Sequence, residues 1–343
     1  MANRFTAVWA DNFAQEIAAV DRFLTHFPIV SFDTEFPGFL RNTPRSASDA
    51  LRYQDLRFNV DSLKLIQLGI TLFDDLGNIG GTWEFNFRGF DEETDPHVAD
   101  SITLLKANGL DLEKFRKFGI DPEVFEEGFA EVLRMHRGRL LWVSFHGLYD
   151  SAYVMKLMTR KAMPSSPTEF AAMAGNLFER VCDLKFMAKF YQGLLGGEIG
   201  LERMAKILRV QCYGDAHQAG SDSLLTADAF VKMRAQFGLK PGMYEGFLYG
   251  LSPKICASSD PSSVHRVRAP PGQVILVPVV PTRPVILVRR SSSSSRDQSF
   301  QSHHQASPML YPYPSPAPMF MHRPMCIPFH ALPQAPPCYQ IHM

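Results

Sequence analysis

Residues 28–38 read Pro-Ile-Val-Ser-Phe-Asp-Thr-Glu-Phe-Pro-Gly, and the reading of this stretch decides the fold. The apolar run after Pro28 predicts a short strand entering a sheet core. Asp33 and Glu35 stand two apart near its end, so both carboxylates lie on one face. Two anions about 6–7 Å apart at the rim of a core repel each other and need a cation, a proton or bulk water. A hard divalent metal is a natural partner for such oxygen ligands. The same pair also fits two solvated acids at a strand-to-loop turn, the commoner setting for charged groups.

Two later stretches carry related chemistry. Residues 142–150 (WVSFHGLYD) run from an apolar strand through a polar turn to Asp150, which opens a helix. Taken alone, Asp150 is an ordinary helix-start acid favoured by the helix dipole. Residues 214–223 (GDAHQAGSDS) lead into LLTADAFVKM. There Leu224, Leu225, Ala227 and Phe230 predict a helix with one buried face and Asp222 in its first turn. His217 precedes Asp222 by five residues, in a Gly/Ser loop. A histidine there is able to take or steer a proton near neutral pH; a surface-loop histidine is the alternative.

The remaining periodicity alternates between strand and helix. Residues 10–25 predict an amphipathic helix, and residues 41–62 a helix or a long loop. Residues 63–73 (LKLIQLGITLF) and 82–87 (TWEFNF) predict a hairpin around the turn DDLGN. Residues 97–135 predict helices broken at Gly109 and at residues 119–122. Residues 140–145 predict a strand, residues 149–158 a helix, and residues 167–236 mostly helix with breaks at Cys182–Asp183, 193–200 and 212–214. Asp183 reads as the N-cap of a helix over residues 184–190, with an approach to the acid site as the alternative. Together these predict a three-layer α/β domain with a mixed sheet.

Composition divides the chain. Over all 343 residues the formal charge is zero. Residues 1–251 nevertheless hold 27 basic and 33 acidic residues, a net −6, while residues 252–343 hold 8 and 2, a net +6. The second part also holds 17 of the 25 prolines. It reads as a basic, Pro/Ser-rich, disordered tail behind one folded domain over residues 1–251. This excludes a histone-like binder and a collagen-like fibre. The five cysteines form no CxxC pair, which argues against a disulfide scaffold or a cysteine zinc site. No signal peptide or transmembrane helix is expected.

Asp-x-Glu on a strand, Asp after a strand, and His-x4-Asp at a helix start follow the order of the DEDDh exonucleases. The chain resembles the Pop/Caf-type deadenylase subunit of the carbon catabolite repression–Not (CCR-NOT) complex, as a plant member. The resemblance rests on DTEFPG (33–38), YQDLRFNVDSLKLIQLGIT (53–71), WEFNF (83–87), SFHGLYDSAYVMKLM (144–158), HQAGSDSLLT (217–226) and FLYGL (247–251). It implies a ribonuclease H-like fold and 3′-to-5′ hydrolysis of poly(A) that releases 5′-AMP. Two divalent ions, Mg²⁺ or Mn²⁺, are implied, held by Asp33, Glu35, Asp150 and Asp222, with His217 as general base. Phe36 and His146 stand beside these acids, placed either to stack on terminal bases or to pack under the metal ligands. The expected partners are single-stranded poly(A) RNA and the scaffold and second nuclease subunits of the complex, with no membrane. The expected location is the nucleus and cytoplasm. Two other readings stay open: an adaptor that has lost activity, and an exonuclease of broader single-strand specificity.

Overall fold

The structure is a computed structural model that describes residues 5–44, 46–211 and 218–256. Its centre is a six-stranded sheet in the order β1-β4-β3-β2-β5-β6. The strands are β1 (Thr6–Val8), β2 (Ile29–Glu35), β3 (Gln67–Phe73), β4 (Ile79–Asn86), β5 (Leu141–Ser144) and β6 (Val181–Asp183). β2–β3 and β3–β4 pair antiparallel; β1–β4, β2–β5 and β5–β6 pair parallel. The sheet is therefore mixed, as expected, with β2 and its acids in the middle.

Alternation along β2 assigns its side chains to two cores. Val30 and Phe32 face one helical layer, made of α1 (Phe13–Leu24), α2 (Asp49–Ser62), α5 (Pro122–Met135), α6 (Leu148–Thr159) and α7 (Pro167–Phe178). Phe32 is fully buried there, stacked on Phe178 at 5.6 Å and edge-on to Trp142 at 5.5 Å. Ile29 faces the opposite layer, made of α8 (Leu184–Ala188), α9 (Leu201–Leu208) and α10 (Ala219–Phe237). α3 (Ala99–Ala107) and α4 (Leu112–Phe118) close a smaller cluster around Phe90 and Ile66. Two helical layers about one sheet give the three-layer architecture.

Several details differ from the sequence reading. β1 and β6 are edge strands of three residues each. The break expected at Cys182–Asp183 is thus the end of a strand. Residues 49–62 are a helix, started by the Ser48 side chain, which accepts from the Leu51 N–H. β3 begins at Gln67, four residues later than expected.

The chain also stays packed beyond Leu251. Ile255 is buried, and its N–H donates to the Gly246 carbonyl at 2.8 Å. The rest of the expected tail, from residue 257, lies outside the described residues. Because Ile255 belongs to the core, a chain cut after Leu251 should be less stable, by about 2 kcal/mol, than one cut after Cys256. Urea melts of the two compare them directly; equal midpoints would remove Ile255 from the account.

Candidate active site

The sheet brings the acids to one end. β2, β5 and β6 are parallel neighbours, so their C-terminal ends lie side by side. Ligands bind outside the carboxyl ends of strands in open α/β sheets. Asp33 and Glu35 end β2 on the face covered by α10, whose first turn carries Asp222. Ligand oxygens of Asp33, Glu35 and Asp222 all lie within 4.8 Å of one another. The sequence-predicted trio is therefore one cluster.

α10 reaches that position because β3 gives way to it. Gly69 pairs with Asp33. A Cβ on Gly69 would stand 1.8 Å from the Ala219 carbonyl oxygen, so only glycine lets the helix rest on the strand. A polar ladder then fixes the helix. The Ser31 hydroxyl donates to the Ser223 carbonyl at 2.8 Å, and the Ser223 and Thr71 hydroxyls are 3.0 Å apart. Glu84, buried on β4, accepts the Gly220 N–H at 3.1 Å. Gly69→Ala should push α10 off the sheet and carry Asp222 away from Asp33. We expect loss of hydrolysis together with a lower melting temperature, and near-normal activity in this variant would refute the account of α10.

Asp150 arrives from the other side. It sits in the first turn of α6 and is buried. One of its oxygens accepts both the Thr34 N–H, at 3.0 Å, and the Thr34 hydroxyl, at 2.5 Å. Thr34 lies between the two β2 acids, so this clamp ties Asp150 to their strand.

The electrostatics are unfavourable as they stand. Burial pushes the Asp33 carboxyl well above the usual range, with Asp150, Asp222 and Glu35 adding to the effect. Glu35 is pushed up to about 8, first by burial and then by Asp222, Asp150 and Glu84. Asp150 is pushed up to about 7 by burial, against the lowering effect of the Thr34 hydrogen bonds. Repelling carboxylates gathered by three elements and partly withheld from water suit a multivalent cation. The donors are oxygens only, which fits hard Mg²⁺ or Mn²⁺ and not soft metals.

Behind the acids, Asp183 is fully buried. It caps α8 through the Lys185 and Phe186 N–H groups, as its place before the helix predicts. It also accepts the N–H groups of His146, Gly147 and Tyr249, at 3.0, 3.2 and 2.9 Å. His146 has φ of +60°, a left-handed conformation rare for a non-glycine residue, and Asp183 holds the backbone in it.

The two residues expected to touch bases differ in setting. His146 is exposed, edge-on to Tyr249 at 5.0 Å. Phe36 is partly buried, stacked on Tyr153 at 4.5 Å and edge-on to Phe39 at 5.2 Å, so it also braces the strand end. His217 lies outside the described residues. Gly69 and Glu84 were missed in the sequence, and of Asp183 only the cap and a nearness to the site were legible there. Glu84 had one available signal, an acid at an inward position of the TWEFNF strand.

A model of the CAF1 family ribonucleases matches residues 8–121. Probable CCR4-associated factor 1 homolog 5 of Arabidopsis thaliana is 44% identical over 66% of this chain and 81% of its own length. The chain belongs to the CAF1 ribonuclease family. Schizosaccharomyces pombe poly(A) ribonuclease pop2 is 37% identical over 67% of this chain and 69% of that protein. The structure of S. pombe Pop2p with Mg²⁺ and Mn²⁺ bound matches with a TM-score of 0.67 at 36% identity, over 73% of this chain and 100% of that one. Yeast CAF1, co-crystallised with the NOT1 MIF4G domain, matches with a TM-score of 0.62 at 26% identity, over 71% and 96%. The chain thus has the ribonuclease H-like exonuclease fold that the motifs implied, and plant relatives are among its matches.

Proposed function

We propose that the chain is a 3′-to-5′ exoribonuclease that shortens poly(A) and releases 5′-AMP. The observation that carries this reading is the convergence of Asp33, Glu35 and Asp222 within 4.8 Å, with Asp150 clamped beside them. The names and bound metals of the pop2 relatives support it. Asp33, Glu35 and Asp222 would hold a divalent ion, Mg²⁺ or Mn²⁺, and Asp150 would serve a second. Such ions supply charge neutralisation at the scissile phosphate and lower the pKa of a water.

The chain's own residues do the rest. Thr34 aims Asp150; Gly69 and Glu84 set the depth of α10; a ring nitrogen of His217 accepts the proton of the attacking water. Phe36 and His146 border the RNA path. No covalent intermediate is needed, since the nucleophile in this reading is a water. The same reading places the chain with the scaffold and second nuclease of the CCR-NOT complex, in nucleus and cytoplasm. Among the described residues no helix is long and apolar enough to cross a membrane.

The purified full chain, given labelled poly(A), random RNA and single-stranded DNA with and without EDTA, tests the proposal. Stepwise loss of 5′-AMP from poly(A), abolished by EDTA, is the expected result. Equal degradation of all three substrates would replace it with a broader exonuclease, and no degradation of any would leave an adaptor.

A further inference from the structure

The folded part of the chain is acidic, −6 over residues 1–251. RNA carries one negative charge per nucleotide, so such a surface needs a local reversal of sign wherever the strand lies on it. One group of side chains supplies it. Lys185, on α8, places Nζ 4.8 Å from the centre of the Tyr249 ring and 5.9 Å from that of Phe145. Lys189, the C-cap of the same helix, places Nζ 4.3 Å from the Tyr249 ring. The exposed His146 ring closes the group, perpendicular to Tyr249 at 5.0 Å.

The group has a fixed frame. The backbone of His146, Lys185 and Tyr249 is anchored on a single buried carboxylate, Asp183, through three N–H groups. The Tyr249 hydroxyl is held by Glu198 at 2.5 Å. The cations are crowded as well. Shielding by surrounding protein lowers the pKa of both His146 and Lys189; Lys185 and Arg52 add to this at His146, and Arg52 at Lys189, while the carboxylates of Asp183 and Glu198 oppose it at both. The three cations Lys185, Lys189 and Arg52 outnumber the two carboxylates, Asp183 and Glu198, that face them, which favours a further anion beside the ring.

Position identifies the anion. α8 follows directly from the C-terminal end of β6, His146 from that of β5, and the acids stand at that of β2. Asp183 lies near enough to Asp150 to raise its pKa. The cationic group therefore flanks the Asp150 end of the acid cluster, on the β5–β6 side. A strand whose terminal phosphodiester sits on the acids has further phosphates upstream that the metal charges do not serve.

We propose that Lys185, Lys189 and His146, framed by Tyr249, form a subsite for a backbone phosphate of single-stranded RNA upstream of the scissile bond. This rests on the ribonuclease reading above and adds where the strand lies. The interaction is with phosphate, so it grips any base and contributes affinity without base specificity.

The test uses the full-length chain with Lys185→Gln and Lys189→Gln combined, which keeps most of each aliphatic stem. Binding of a fluorescent oligo(A) is measured in EDTA, where no hydrolysis occurs, across a salt series. Hydrolysis is measured separately in Mg²⁺. The double variant should bind about tenfold more weakly, with a salt slope shallower by about 0.7 for each phosphate it no longer neutralises. In turnover, KM should rise far more than kcat falls, while Mn²⁺ raises the melting temperature as in the parent. Lys185→Arg with Lys189→Arg should restore affinity. Unchanged affinity and salt slope in the double Gln variant would overturn the proposal. So would an unchanged RNA affinity accompanied by loss of binding to an acidic peptide, which would assign the group to a protein partner. If the parent hydrolyses no RNA, the ribonuclease reading fails, and the EDTA binding series still decides the subsite.

Discussion

Asp33→Asn is expected to lower RNA hydrolysis by more than about 10³-fold, the scale of losing a preorganised charge-stabilising group. The chain should stay folded and, without metal, melt higher than the parent. Asp33 is the acid repelled by Asp150, Asp222 and Glu35 together. Removing its charge relieves that strain and also removes a metal ligand. The pH dependence follows with a definite sign. Glu35 is raised to about 8 and Asp150 to about 7, both above their unfolded values. Between about pH 4 and pH 8 the folded state then binds more protons than the unfolded state, so metal-free stability falls as pH rises through this window. Metal binding should oppose the fall, so the rise in melting temperature on adding Mn²⁺ should be larger at pH 8 than at pH 5. Melting curves at the two pH values, with and without Mn²⁺, check both claims. A parent that is more stable at pH 8 without metal would contradict the burial of these acids. Near-normal hydrolysis by Asp33→Asn at ordinary Mg²⁺ would contradict its role as ligand.

Asp183→Ala should be the most damaging single change to stability, on the order of 3–5 kcal/mol. It would take the acceptor from the N–H groups of His146, Gly147, Lys185, Phe186 and Tyr249 at one stroke, those of Gly147 and Phe186 being buried. Urea unfolding measures the loss directly. Asp183→Asn keeps one acceptor oxygen and should lose less. It should also leave the mean helix content near that of the parent while weakening RNA binding, because His146 would be released from its left-handed conformation. A loss below about 1 kcal/mol in Asp183→Ala, the worth of a single cap, would mean that the non-local hydrogen bonds contribute nothing.

The contrast between these two acids shows what the sequence discloses. Asp33 and Glu35 were legible because their relation is local: two residues apart on a strand fixes one face. Asp150 and Asp222 were legible as helix-start acids, and their meeting with Asp33 was supplied by the family motifs, since no spacing encodes a contact across the sheet. Asp183 was legible as a cap, but its partners at His146, Gly147 and Tyr249 come from distant segments. Gly69 carries no sequence signal of its own, because what requires glycine there is the Ala219 carbonyl, which comes from a distant segment. β6 was hidden for a different reason. Three residues of parallel edge strand carry neither alternation nor a hairpin turn. α2 was ambiguous because its inward face is partly polar. Asp55 and Asn59 are buried, Asp55 accepting from the Thr43 hydroxyl and Asn59 pairing with the Arg41 backbone, so the apolar period that marks a helix is broken.

The hydrogen bond from Ser31 to the Ser223 carbonyl joins residues 192 apart. At ribosomal rates of about 5–20 residues per second, α10 is synthesised on the order of 10–40 s after β2. During that interval the strand acids exist without Asp222, and the acid cluster has no third wall. Of the segments that carry the cluster, α10 is thus the last to leave the exit tunnel. A nascent chain holds the strand acids alone at first, and it gains the full acid set only after about two-thirds of its residues have been joined.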